Sequence, residues 1–270
     1  MKKVFYLAGL PRSGSTLLSD LLAQNDDFHA SPSSGLRDMI ELVKNNWNGN
    51  EHFKASFDIN KIDALLKGMM QSYYSTEEAS VIFDKNRGWT GAVELANLLS
   101  HDNKAKIIVC VRNVVEIIAS LEKMYRKNAH DFALPQEKAN FAQFQLLANR
   151  CEAWVNATGM IGAPYVSILE ALNRGYRDNL LFVDYNKLTI EPEAQLKRIY
   201  EFIDIEFDEK IHYFDNVISS NHEYEMARGF PQSLHQIRAE VKPQVSDAFK
   251  VLGKENFEKY SNSEFWNQFI

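Results

Sequence analysis

The sequence predicts an α/β protein, a three-layer α/β/α sandwich built around a central parallel sheet. Four short apolar segments have the length and the bounding turns of buried strands, at 4–8, 79–84, 106–112 and 180–184. Amphipathic segments separate them, and strands that alternate with helices are typical of a parallel sheet covered on both faces. The chain has 270 residues, of which 45% are hydrophobic, which suits one sizeable core. We therefore expect a single domain over 1–270.

Helical periodicity accounts for most of the remaining chain. The predicted helices cover 15–24, 36–47, 59–74, 92–99, 114–126, 136–172 with an interruption near 159–164, and 191–203. Residues 25–35 are rich in turn formers, and the C-terminal region from 207 to 270 is expected to be helix and loop. The segments at about 36–75 and 136–172 are predicted to be helical insertions between the strands.

The first strand leads into a phosphate-loop pattern that lacks one residue. Gly9 to Thr16 fits G-x-x-x-x-G-K-[ST] at every fixed position except one, where Ser15 replaces the lysine. In nucleotide triphosphatases that lysine reaches the β- and γ-phosphates, so its absence argues against a triphosphate ligand. The loop N–H groups and the start of the next helix would still hold an anion, and Arg12 brings a positive charge into the loop.

The third strand ends in a cation where a metal-binding enzyme would have a carboxylate. A phosphate-loop triphosphatase would end an inner strand in aspartate to hold Mg²⁺, whereas this strand ends in Arg112. Ser120 follows about two helical turns later, so the pair suits a second phosphate. Ligands bind beyond the carboxyl ends of parallel strands, which brings four clusters into one crevice: 9–16, Lys85 with Arg87, Arg112, and Asp184 with Tyr185. Two anion sites without a metal carboxylate indicate a bisphosphorylated nucleotide.

These segments resemble the sulfotransferases that use 3′-phosphoadenosine 5′-phosphosulfate (PAPS). The segment 11–18, PRSGSTLL, looks like the 5′-phosphosulfate loop of that family, and 111–113 with Ser120 is similar to its 3′-phosphate motif. The segment 182–188, FVDYNKL, followed by Glu191-Pro192, resembles its tyrosine-containing segment. The strand end 83–86, FDKN, looks like that of the tyrosylprotein and bacterial branches. The resemblance covers about 3–205 in the right order.

The resemblance implies a P-loop NTPase-like sulfotransferase fold with extra helices, PAPS as the sulfuryl donor, and no requirement for a metal. It implies that Arg12 contacts the 5′-phosphosulfate and stabilises the leaving group, and that Lys85 contacts the sulfonate or the bridging oxygen. The remaining cofactor residues that it implies are Ser13, Gly14, Ser15 and Thr16 for the 5′-phosphate, Arg112 and Ser120 for the 3′-phosphate, and Tyr185 against the adenine.

The general base for the acceptor is less clearly marked. The tyrosylprotein branch has a glutamate in the segment after the first helix, and counting from the loop that position falls at Ser33. The nearest residues able to take a proton are His29, Asp38 and Glu41. An amine acceptor, or a hydroxyl activated by the nucleotide itself, stays open.

The C-terminal region is expected to close over the nucleotide. Family members commonly place a basic loop over the 3′-phosphate and adenine, and Arg228 and Arg238 are the candidates for this role. Three roles stay open for the inserted helices: walls of an acceptor pocket, part of the core, or a dimer face.

Composition limits the partners and the compartment. A net charge of −6 gives a nucleic-acid partner no electrostatic support, and no apolar run reaches the length of a membrane span. Neither a signal sequence nor a disulfide or metal motif is found, Cys110 and Cys151 being the only cysteines, so we expect a cytoplasmic protein. The acceptor stays open between a small molecule, a carbohydrate, a lipid and a peptide, and the oligomeric state stays open, a homodimer included. The alternatives are a nucleotide or small-molecule kinase of the P-loop fold and a noncatalytic nucleotide-binding module.

Overall fold

The described part of the chain contains a five-stranded, all-parallel sheet with helices on both faces. The computed structural model describes residues 2–31, 33–47, 49–56, 58–128, 143–215, 217 and 240–270. The strand order is β2-β3-β1-β4-β5. The strands are β1 Lys3–Gly9, β2 Phe28–Ala30, β3 Val81–Lys85, β4 Ile107–Val111 and β5 Leu180–Asp184. The predicted three-layer α/β/α class is confirmed.

The helices alternate with these strands. They are α1 Ser15–Leu22, α2 Leu36–Trp47, α3 Glu51–Ala55, α4 Ile59–Tyr73, α5 Val93–Leu99, α6 Val114–Asn128, α7 Leu147–Val155, α8 Gly162–Asn173, α9 Tyr185–Ile190, α10 Pro192–Phe202 and α11 Ala248–Tyr260. Short 3-10 helices lie at Arg87–Ala92, Gln143–Gln145, Arg177–Asn179 and Phe265–Phe269. Among the described residues, no helix is both long and apolar enough to cross a bilayer.

Two predictions about local structure were wrong. No strand was predicted within 25–35, a segment rich in turn formers, but Phe28–Ala30 form the edge strand β2, paired in parallel with β3 from Val81 to Phe83. Three residues are too few to show an alternating pattern, so the strand is defined by its partner rather than by its own sequence. A helix was expected only from 191, but α9 begins directly after β5. The Asp184 carboxylate accepts the N–H groups of Asn186 and Lys187 at 2.9 and 3.1 Å and so caps it.

The order of the strands determines where a ligand fits. The chain runs from β1 to β2 and β3 on one side and then crosses to β4 and β5 on the other, so the switch in direction lies between β1 and β4. Apolar side chains fill both faces: Leu18, Leu21 and Leu22 of α1 pack on one, and the buried residues of α2, α4, α5 and α6 pack on the other. The crevice beyond the carboxyl ends of β1 and β4 is therefore framed by a rigid core.

Candidate active site

The loop after β1 has the backbone geometry of an anion-binding turn. Gly9 has a φ of +122°, and a Cβ there would lie 2.1 Å from the carbonyl oxygen of Cys110, so only glycine lets β1 leave so close to β4. Arg12 and Gly14 also have positive φ values, of 56° and 83°. Gly14 is the N-cap of α1 without a side-chain cap, and no acidic residue lies in the first turn. The N–H groups at the start of this helix are therefore available to an anion, because no side-chain carboxylate of the first turn competes for them.

Lys85 reaches the phosphate loop from the neighbouring strand. It ends β3, pairs with Leu7 of β1, and its Nζ donates to Thr16 Oγ1 at 3.1 Å. The ammonium therefore lies at the loop that lacks its own lysine at Ser15. The sequence predicted this juxtaposition from the rule that parallel strands end at one edge, and the structure brings the two residues together.

Arg112 is fixed on three sides at the end of β4. Its Nη1 donates to the main-chain carbonyl of Arg12 at 3.2 Å, and its Nε donates to Glu116 at 2.9 Å. Its guanidinium lies over the ring of Tyr185, 4.2 Å from the centroid. The same ring contacts the loop, since a Cβ on Gly14 would lie 2.6 Å from a ring carbon. Arg112 and Tyr185 thus form one unit with the phosphate loop.

Arg12 and Ser120 meet at the same place. Arg12 Nε donates to Ser120 Oγ at 3.1 Å, so α6 is tied to the loop by the two side chains predicted to bind different phosphates. Together these groups line a cleft of about 300 Å³, whose walls include Arg12, Ser15, Arg112, Ser120 and Tyr185. The cleft holds cations, N–H donors and an aromatic ring, which fits a nucleotide with two separated anionic groups.

The candidate base His29 lies apart from Asp38 and Glu41, which both pair with Arg37. His29 lies on β2, and its Nδ1 is 2.9 Å from Glu77, which precedes β3, so the imidazole is directed toward the amino end of the sheet. Glu41 pairs with Arg37 at 2.7 Å. Asp38 accepts from the Asn86 side chain at 3.3 Å and is therefore beside the residue that follows Lys85. The assignment of a base among these residues stays a prediction.

The expected closing arginines, Arg228 and Arg238, lie outside the described residues. The described segment 240–248 contributes the far wall of the cleft instead, and Lys242 is among its lining residues. Lys123 of α6 joins this segment through a 2.7 Å ion pair with Asp247, which also holds the pKa of that carboxyl below its ordinary value. The described segment 240–248 thus reaches the cleft, whereas closure by Arg228 or Arg238 stays a prediction.

Sequence reasoning missed two carboxylates near the site. Glu116 lies four residues after Arg112, in the first turn of α6; it forms an ion pair with Arg112 at 2.9 Å and lines the cleft. Asp84 belongs to the strand-end segment 83–86, but no role was predicted for it; it is fully buried, and burial raises its pKa. No local signal marks the partners of Asp84. Cys110 lies buried in the core, and burial raises the pKa of its thiol to about 12.

A comparison with protein families agrees with this geometry. A model described as the sulfotransferase family matches residues 5–209. The chain belongs to the sulfotransferase family. The match includes most of β1, the phosphate loop, Lys85, Arg112 and Tyr185, and it ends before the C-terminal segment that lines the cleft.

Individual relatives are distant. The chain is 24% identical to protein-tyrosine sulfotransferase A of Caenorhabditis elegans over 230 residues, which are 80% of this chain and 53% of that protein. The chain therefore spans about half the length of that relative. It is also 25% identical over 205 residues to an adenylate kinase of Campylobacter curvus, across 74% of this chain and 99% of that protein.

Solved structures show the same fold. The sulfotransferase domain of the Synechococcus olefin synthase superposes with a TM-score of 0.50 at 17% identity, covering 93% of each chain. A mouse sulfotransferase complexed with PAP superposes with a TM-score of 0.53 at 15% identity, covering 96% of this chain and 82% of that one. The expected sulfotransferase fold is confirmed.

Proposed function

We propose that this chain transfers the sulfuryl group of PAPS to a hydroxyl or amine acceptor by in-line displacement and releases 3′,5′-adenosine bisphosphate (PAP). In this reaction the acceptor atom forms a bond to sulfur, the bond from sulfur to the bridging phosphate oxygen breaks, and the acceptor proton passes to a base. Negative charge then grows on the departing phosphate. Catalysis of such a step depends on positioning and on cations directed at that charge.

The observation that carries the proposal is the contact between Lys85 and the phosphate loop. Its ammonium lies 3.1 Å from Thr16 Oγ1, so a cation from a different strand occupies the region that the loop's own lysine serves in triphosphatases. This ammonium and the guanidinium of Arg12 would stabilise the bridging oxygen as it leaves. The N–H groups of 13–16 would hold the 5′-phosphate itself.

The second half of the nucleotide has its own partners. Arg112 ends β4 with its guanidinium stacked on Tyr185 and with its Nη1 on the Arg12 carbonyl. A guanidinium fixed in this way suits a 3′-phosphate, with Ser120 as a further donor and Tyr185 as a surface for the adenine. PAP bound to a structural neighbour supports the same donor here. The acceptor, whether small molecule, carbohydrate, lipid or peptide, is left open by this half of the site.

A nucleotide kinase is the alternative, because the similarity to an adenylate kinase covers 74% of this chain. Two positions argue against it. Ser15 stands where a kinase loop has its lysine, and Arg112 stands where an inner strand would supply a metal-binding carboxylate.

Calorimetric titration with PAP, and separately with ATP and Mg²⁺, distinguishes the two functions. We expect PAP to bind with a Kd in the micromolar range, which corresponds to about −8 kcal/mol, and Arg112→Ala to weaken binding at least about tenfold. Arg177→Ala is the matched control, because that guanidinium also lies over an aromatic ring, 4.9 Å from the centroid of Phe269, but belongs to no part of the cleft. Tight binding of ATP and Mg²⁺ without a response to PAP would overturn the proposal and favour the kinase.

A further inference from the structure

A buried carboxylate lies directly before Lys85. Asp84 is fully buried near the end of β3, and three neutral donors from other parts of the chain contact it. The hydroxyls of Ser34 and Tyr74 donate to Oδ2 at 2.6 and 2.5 Å, and the indole N–H of Trp89 donates to Oδ1 at 2.7 Å. A carboxylate removed from water costs free energy that an apolar side chain of similar size would not. Its presence therefore needs a reason beyond the filling of space.

The contacts of Asp84 fix the peptide that carries Lys85. The main-chain N–H of Ser34 donates to the carbonyl of Lys85 at 2.8 Å, and the side-chain amide of Asn86 donates to the carbonyl of Ser34 at 3.1 Å. With the bond from Ser34 to Asp84, the loop at 33–35 is joined to three consecutive residues of the strand end. The Lys85 side chain leaves from this held peptide toward Thr16.

The same carboxylate holds both ends of a helical insertion. Ser34 lies just before α2, and its hydroxyl oxygen also accepts the N–H of Leu36 at 3.1 Å. Tyr74 is the residue that directly follows α4. The segment 36–73 therefore begins and ends at hydrogen bonds to one buried group beside Lys85, although about forty residues separate its ends in sequence.

We propose that Asp84 is a positioning residue that fixes the Lys85 ammonium against the phosphate loop by clamping the two ends of the 36–73 insertion to β3. We call Asp84, Ser34, Tyr74 and Trp89 the Asp84 clamp. Its catalytic consequence rests on the proposed function, because Lys85 matters only if a sulfuryl group is transferred there. The positioning of the ammonium does not depend on that function and is measured separately.

The first measurement is the rate at which an amine-reactive ester, N-hydroxysuccinimidyl acetate, acetylates Lys85, read by peptide mass spectrometry. Lys106 is the internal reference, because its side chain is similarly shielded at 17% exposure and lies outside the site. We expect Asp84→Asn, Ser34→Ala and Tyr74→Phe each to raise the ratio of Lys85 to Lys106 acetylation at least about threefold, since the freed side chain samples open positions.

Matched controls separate this effect from general loosening. Ser100→Ala and Tyr200→Phe remove buried, hydrogen-bonded hydroxyls outside the clamp, and we expect the ratio to stay within about 1.5-fold of wild type. If Asp84→Asn fails to fold, the two hydroxyl variants still test the clamp. Equal ratios in clamp and control variants would overturn the proposal.

The second measurement is hydrolysis of PAPS to PAP and sulfate, with water as the acceptor, followed by chromatography, together with PAP affinity by calorimetry. We expect the clamp variants to lower kcat about tenfold while the Kd for PAP changes less than about twofold, because the clamp acts on Lys85 and not on Arg112 or Tyr185. Raised acetylation with unchanged turnover would overturn the catalytic part of the inference. Raised acetylation with no PAP binding at all would count against the proposed function instead.

Discussion

The two sides of Lys85 are built differently. On the nucleotide side, which comprises the loop 9–16 with Arg112, Ser120 and Tyr185, the Arg112–Glu116 pair is only 15% and 13% exposed. The opposite side comprises 33–41 with Asn86, and we call it the acceptor side because we propose that it faces the acceptor. The two carboxylates paired with Arg37 there are 63% and 36% exposed, whereas Arg37 itself is 17% exposed. Shielded pairs hold one geometry, whereas exposed pairs contribute about 1 kcal/mol or less and rearrange readily. We infer that the nucleotide side is held in one geometry, whereas the proposed acceptor side is adaptable at its exposed carboxylates.

The largest effect is expected from removal of the Lys85 ammonium, which separates the two sides. We expect Lys85→Ala to lower PAPS turnover by about 10²- to 10³-fold, because an ammonium directed at the departing oxygen acts mainly in the transition state. PAP affinity should change less than about threefold, since Arg112 and Tyr185 would still hold the other half of the nucleotide. The measurement is steady-state turnover beside calorimetry. Lys106→Ala, which removes a lysine paired with Asp204 on the surface, is the control.

This comparison fails if Lys85→Ala weakens PAP binding as much as it slows turnover. That result would make Lys85 a ground-state ligand of the nucleotide, and the nucleotide side would then extend across to β3.

Substitution of Gly14 would test how tightly the nucleotide side is packed. Gly14→Ala must place a Cβ 2.6 Å from Tyr185 at a φ of +83°, so both backbone strain and a clash result. Gly175→Ala is a matched control, because its φ is +85° and a Cβ there meets nothing within 4 Å. We expect Gly175→Ala to cost about 1–2 kcal/mol of unfolding free energy and Gly14→Ala clearly more, by about 1 kcal/mol or above. Only Gly14→Ala should weaken PAP binding.

Denaturant unfolding and calorimetry measure this pair of variants. Equal losses of stability, with PAP affinity unchanged in both, would mean that Tyr185 moves freely and that the packed unit with Arg112 does not hold the nucleotide.

The contrast between the sides also explains what the sequence alone could predict. The phosphate loop, Arg112 and Tyr185 each follow a strand whose apolar run and turn are local, so sheet rules placed them together. The Asp84 clamp joins 34, 74, 84 and 89, and none of these residues is unusual in its own neighbourhood. The edge strand β2 is likewise defined by β3. For His29, nothing local indicates that its partner is Glu77, four residues before another strand. Pairings across distant segments decide the acceptor side, and a sequence pattern does not contain them.

Neutralisation of Glu116 tests whether this carboxylate opposes nucleotide binding. Its carboxylate lies 2.9 Å from Arg112 Nε and lines the cleft, so it neutralises part of the positive charge that would attract a 3′-phosphate. We expect Glu116→Gln to tighten PAP binding by about three- to tenfold at low salt, and by less at high salt because ions screen the repulsion. Glu193→Gln, which alters another i,i+4 pair, with Lys197, is the control. Weaker binding by Glu116→Gln would show that the pair instead holds Arg112 in its binding position.

The smallest expected effect concerns pH and stability at Asp84. Burial raises the pKa of this carboxyl above its ordinary value, and the Asp38 charge adds to the rise, while the hydrogen bonds from Ser34, Tyr74 and Trp89 oppose it. A group with a raised folded-state pKa contributes stability that is present below its unfolded pKa and is lost as pH rises through the folded pKa. Between pH 4 and 8 we therefore expect the stability of Asp84→Asn relative to wild type to improve as pH rises, whatever its absolute value.

Urea unfolding at pH 4.5 and pH 8 measures this trend, and Asp204→Asn is the control, because its carboxyl is exposed and paired with Lys106 so that its pKa lies below the ordinary value. The stability of Asp204→Asn relative to wild type should fall as pH rises, which is the opposite slope. If Asp84→Asn gains relative stability toward neutral pH while losing turnover, the ionised clamp lowers stability where it supports the position of Lys85. Asp84 would then serve the site at the expense of stability. It would also be the group through which the acceptor side is attached to the sheet.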